Sequence, residues 1–219
     1  MTLCVVLAGM GSAACAGNGQ RTAAGSGAEP GPMAAIGKVP ADWRKVATLE
    51  DRGRLRNWRA TWIDALKRAR NSGAQAAIAA QGALFDPDRA LGGPVPPAGH
   101  YRCHVYKLGA NGTAMANYTA YEASDCEITD EGRVAGFSMK GGSQRPVGAL
   151  FRQSDTRAVF LGTLVIGDET KQMRYGRDAA RNIVGYIERI GEARWRLVEP
   201  APAFESRLNI IELTPAPAK

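Results

Sequence analysis

From Gly99 onward, apolar residues alternate with polar ones at a period of two. The runs return every ten to fifteen residues, with Gly, Asp or Asn between them. A strand turns successive side chains to opposite faces, so this pattern demands half-buried β structure joined by short turns. It predicts strands near 100–108, 117–128, 132–140, 146–152, 157–166, 171–176, 182–190, 193–199 and 206–213. Turns such as "DEG" at 130–132 and "IGEAR" at 190–194 join neighbours in sequence, so antiparallel, sequential pairing is expected. A meander of this size is best closed as a small barrel or folded as a sandwich, because closure removes unpaired edges. No long helical crossover interrupts it, which argues against a parallel α/β fold.

Before "FDPDRALGGPVPPAG", whose prolines and glycines end regular structure, the period is helical. Thr48 is a helix N-cap, with Glu50 and Asp51 in the first turn where the helix dipole favours acids. Leu55, Trp58, Trp62, Ala65, Leu66 and Ala69 then recur at spacings of three and four, and Ser72-Gly73 ends the run. A second, alanine-rich helix is expected over 74–84. The expected class is therefore mainly β with an N-terminal helical segment (α+β). A single domain spans 41–219, with helices in 41–84 and the sheet in 99–214.

Residues 42–70 carry nine basic side chains against four acids. A basic helix with tryptophans can lie peripherally on an anionic membrane; the simpler reading packs the tryptophans on the domain and leaves the charges solvated. No run of eighteen apolar residues exists, so no helical membrane span is expected.

Residues 1–16 hold no charge, have an apolar centre from Leu3 to Met10 and end in small residues, as a secretory signal does, although no Lys or Arg begins it. Cleavage after Ala16 discards Cys4 and Cys15, leaving Cys103 and Cys126 as a pair suited to an oxidising compartment. The alternative is lipidation of Cys15 in "SAAC", although Ser12 stands where a lipoprotein box usually has Leu. Residues 17–40, rich in Gly, Ala and Pro, are expected to be a disordered tether. The expected location is the periplasm, free or anchored through Cys15.

Both histidines lie in "GHYRCHVYKLG" at 99–109. In a strand, His100 and His104 share a face but stand about 13 Å apart, and Cys103 points the other way, so no metal can take all three. The haem motif also fails, since His100 occupies its first cysteine position. A Cys103–Cys126 disulfide between neighbouring strands or across the core is the expected role, and no metal or cofactor is expected.

Nothing names a reaction. Ser143 in "GGSQR" lacks a nucleophile elbow, and Asp168, Glu169, Asp178, Glu188 and Glu205 have no separations that sequence can supply. The cationic signal is stronger. Arg145, Arg174, Arg177, Arg181, Arg189, Arg194, Arg196 and Arg207 crowd the strand region with Tyr175 and Trp195 between them, and the net charge is +7. Arg145, Tyr175 and Arg177 are the candidate binders of an anionic small molecule. The competing reading pairs the arginines with Glu188, Glu205 and Asp178. With no phosphate loop and no aromatic platform, a nucleic-acid partner is not expected.

The succession "WRKVATLEDRGRLRNWRATW", "PPAGHYRCHVYKLG", "GGSQRPVGALF", "VFLGTLVIGDE", "RYGRD", "GYIERIGEARWRLVEP" and "FESRLNIIEL" resembles the family of exported bacterial proteins catalogued as domain of unknown function 4893, from Asp42 to Pro215. The resemblance implies export and one domain, and carries no catalytic role to any residue. Two function classes follow. One is a non-enzymatic barrel that binds a small anionic ligand or an envelope protein. The other is an envelope hydrolase using a carboxylate pair.

Overall fold

The computed structural model describes Pro32 and residues 42–112 and 115–217. The expected leader at 1–16, with Cys15, and the tether apart from Pro32 lie outside the described residues. Among the described residues no helix is long and apolar enough to cross a membrane.

The described residues form nine strands: β1 (Gly99–Ala110), β2 (Tyr118–Ala120), β3 (Ser124–Asp130), β4 (Ala135–Met139), β5 (Gln144–Arg152), β6 (Ala158–Ile166), β7 (Asn182–Gly191), β8 (Arg194–Pro200) and β9 (Ser206–Pro215). Each pairs antiparallel with its neighbour, and β1 pairs with β9, so eight strands close into a barrel. The extra strand is β2. It takes the Tyr106–Leu108 part of the β1 edge, while β3 takes Gly99–Cys103. Closure, rather than a sandwich, leaves the long strands no open edge.

The expected strand at 117–128 is divided, because residues 121–123 leave the ladder between β2 and β3. The expected strand at 171–176 does not form. That stretch belongs to the loop joining β6 and β7, which turns at Gly167 (φ 59°) and Gly176 (φ 82°). The apparent alternation there arose from Tyr175, which is buried for another reason given below.

The helical run is two helices, α1 (Leu49–Arg56) and α2 (Trp58–Ala69), interrupted at Asn57. Thr48 caps α1, its hydroxyl accepting from Asp51 N at 3.1 Å. A wider turn containing Gly73 (φ 95°) follows α2, then α3 (Gln75–Ala80) and a short 3₁₀ turn, Gly82–Phe85.

Inward-facing residues of the eight barrel strands, among them Tyr101, Phe137, Phe160, Ile187, Trp195 and Leu213, fill the barrel interior. Burial of each large side chain contributes on the order of 1.5–3 kcal/mol. The Cys103–Cys126 disulfide lies in this interior, linking β1 to β3. On the outside, α1 covers β5, β6 and β7 through Leu55, Val147, Phe151 and Val184. The helices α2 and α3 cover β1, β8 and β9 through Trp62, Leu66, Ile78, Leu108 and Ile210. Trp62 is fully buried and stands edge-on to the half-buried Trp58, ring centroids 5.9 Å apart. The tryptophans therefore hold the helix to the barrel, and the exposed face of α2 keeps the charges.

Candidate functional site

At one end of the barrel the inward row changes character. Lys107, Asn209 and Glu199 stand in register on β1, β9 and β8. By parity with Cys103, Ile211 and Leu197 they face inward, where the rest of the row is apolar. All three are buried. Polar groups in such a place must find partners or carry a desolvation cost.

The partners are incomplete. Lys107 Nζ donates to Gln144 Oε1 at 2.9 Å and to Glu205 Oε2, and sits 5.5 Å from the centre of the Tyr121 ring. Glu199 Oε2 accepts from Asn209 Nδ2 at 3.0 Å, and Asn209 Oδ1 accepts from Ser206 Oγ at 2.6 Å. Glu199 Oε1 has no hydrogen-bond partner. Burial raises the Glu199 carboxyl to about 7, against the opposing pull of the Asn209 hydrogen bond and the Lys107 and Arg54 charges. Glu199 is thus a neutral acid below neutrality, set deep beside a buried cation.

Glu205 reaches Lys107 from the loop at 201–205, which begins at Ala201 (φ 46°) and ends at Glu205 (φ 66°). Both residues are left-handed although neither is glycine, a conformation that costs on the order of 1–3 kcal/mol each unless the surroundings impose it. The surroundings do so: Ala201 N donates to Arg207 O at 2.8 Å and Asn111 N to Glu205 O at 3.1 Å. Phe204 packs against the barrel interior.

A cavity of about 480 Å³ opens on this end, with Lys107, Gln144 and Glu205 on its polar side and Val105, Tyr121 and Met139 on its apolar side. Ser124, also on its wall, has a buried hydroxyl without a hydrogen-bond partner. The volume falls in the range of small-molecule sites. Glu122 is a second carboxylate on the lining, and Lys107 is the one cation among these lining residues, able to hold one acid group.

Of the three residues selected from sequence, Arg145 and Tyr175 each have partners of their own. Arg145 donates to the carbonyls of Gly142, Gly167 and Glu169 at 2.7–2.8 Å, tying the β4–β5 turn to the β6–β7 loop. Tyr175 donates its hydroxyl to Asp51 and accepts from Thr48 N at 3.2 Å, so it fastens α1 to the barrel. Burial, with the Asp51 carboxylate beside it, holds the phenol above its ordinary range. Arg177 is exposed.

Several other arginines are also occupied. Arg181 grips Glu169 through two nitrogens at 2.8 and 3.0 Å, holding that carboxyl at about 2. Arg194 pairs with Glu212, Arg207 with Asp64, and Arg196 with Glu188. Of the carboxylates weighed against them, Glu188 takes Arg196, while Glu205 takes Lys107. His100 is exposed and His104 half-buried on the outer face of β1, where His104 Nδ1 lies 3.9 Å from Glu212. Among the described residues no three of His, Cys, Asp and Glu gather as a metal site.

Sequence reading passed over Lys107, Glu199 and Asn209. Their signal was present in "HVYKLG", "RWRLVEP" and "RLNIIEL", where a polar residue sits at an inward position of each strand. Only the pairing register shows that all three lie at one end.

No curated protein and no solved structure matches the chain. A family model matches residues 43–213, most of the length. The chain belongs to the family described as Domain of unknown function (DUF4893).

Proposed function

We propose that this protein is a barrel binding module for a small amphipathic anion, taken at the mouth around Lys107. One observation carries the reading: a nearly buried ammonium faces a cavity whose other side is Val105, Tyr121 and Met139. A desolvated cation attracts an acid group far more strongly than a surface cation does, while the apolar side receives a hydrocarbon or ring. We further place the mature chain in an oxidising compartment outside the cytoplasm, a reading supported by the disulfide.

The hydrolase reading now rests on Glu199 and Glu205, one acid raised to about 7 and one carboxylate on the lysine. Glu199 is not in the cavity wall, and a general acid must reach the atom it protonates. Binding is the better supported of the two.

The test is calorimetric titration of the full chain with decanoate. The wild type is expected to bind, and Lys107→Met to bind about tenfold or more weakly, the loss of about 1.4 kcal/mol or more that one charge-assisted contact carries. Equal affinity in both proteins would remove Lys107 from the site.

A further inference from the structure

We propose that Glu205 is a resident stand-in for the ligand's acid group: loop 201–205 holds its carboxylate on Lys107 until a monoanionic amphiphile displaces it. The inference rests on the reading of the mouth as an anion site and adds both the regulation and the charge class of the ligand.

The two partners are unequally fixed. The Lys107 side chain is 7% exposed and that of Glu205 33%. The lysine also keeps Gln144, while Glu205 can turn outward and be solvated. Glu205 is therefore the partner that moves. Ser124 supplies a buried hydroxyl without a partner on the same wall, a donor that a second ligand oxygen would satisfy.

Charge balance sets the ligand class. One carboxylate leaves and one acid group enters, so exchange with a monoanion leaves the charge around Lys107 unchanged, with Glu122 staying on the same wall. A phosphate monoester would bring close to two negative charges to one buried cation, beside Glu199, which ionises only with difficulty. The site therefore fits a monocarboxylate with a short apolar body better than a phosphate ester with the same tail.

Calorimetry on the full, disulfide-bonded chain tests this with decanoate, decyl phosphate and decanol against the wild type, Glu205→Gln and Lys107→Met. The amide variant keeps the size of a partly exposed side chain, and its melting curve serves as the folding check. The expected result is decanoate binding about tenfold tighter in Glu205→Gln than in the wild type, with decanol affinity unchanged and decyl phosphate weaker than decanoate. If decanoate binds both proteins equally while Lys107→Met still weakens it, the stand-in is overturned and the anion site survives. Tighter binding of decyl phosphate than of decanoate overturns the charge class. Failure of decanoate to bind any variant overturns the site and the stand-in together.

Discussion

Arg196 on the outside of the barrel and Lys107 at its mouth are both buried cations, and their surroundings treat them differently. Arg196 donates to Glu188 through Nε and Nη2 at 2.9 and 2.7 Å, and to the carbonyls of Ala83, Leu84, Asp86 and Arg89 at 2.7–2.9 Å. Its guanidinium also lies 4.6 Å from the Trp62 ring centre, and the other Glu188 oxygen accepts from Arg157 Nε at 2.7 Å. This network fastens residues 83–89 to the barrel with its bonds made. At the mouth, one partner of Lys107 is a third exposed, and the neighbouring Glu199 has an oxygen without a bond. A completed buried network specifies a structure, whereas an incomplete one at an opening leaves capacity for a ligand.

The comparison predicts unequal costs. Arg196→Met strands Glu188 with Arg157 alone and leaves four carbonyls short of a donor, so it should cost about 3–5 kcal/mol in urea denaturation. Lys107→Met should cost clearly less, because Glu205 can turn to water. Equal losses would mean that the mouth is as structural as the clasp.

Glu199 sharpens the same contrast through pH. Its folded carboxyl, at about 7, stands above the ordinary 4.5, so between those values the folded chain binds more protons than the unfolded one. Stability from this group is full below the lower value and is lost as pH rises through the higher. A shift of this size corresponds to about 3 kcal/mol. The stability of Glu199→Gln relative to the wild type should therefore rise by about that amount from pH 4 to pH 8. A difference that stays flat would show that folding leaves the Glu199 carboxyl at its ordinary value.

These two regions were unequally legible from sequence. Alternation marked most of the strands because one face of each is apolar, and the spacing of Leu55, Trp62, Leu66 and Ala69 gave the buried helix stripe, all four of which are buried. The disulfide, formed in the structure, was expected from the two cysteines that remain after cleavage at Ala16. The mouth did not follow, because Lys107 and Glu199 lie 92 residues apart in number and meet only through the closure of β1 onto β9 and the register of β9 on β8. The partners of the arginines were not legible for the same reason. Those partners, such as the carbonyls at 83–89, are set by packing of the helical segment and leave no mark in composition.

The smallest expected effects concern the residues that sequence density favoured. In Tyr175→Phe the hydroxyl no longer bonds Asp51, but Asp51 keeps Arg54 as a partner, so the loss should be near 1 kcal/mol. Arg177→Ala removes an exposed side chain and should change stability by less than about 0.5 kcal/mol. Neither should alter decanoate affinity if the mouth is the site, since neither residue lines that cavity. A tenfold loss of decanoate binding in either variant, with the melting curve preserved, would move the anion site from Lys107 to the β6–β7 loop. That outcome would also make the half-buried Glu205 carboxylate a purely structural partner, so this pair of modest variants decides between charge held at an open mouth and charge displayed on a loop.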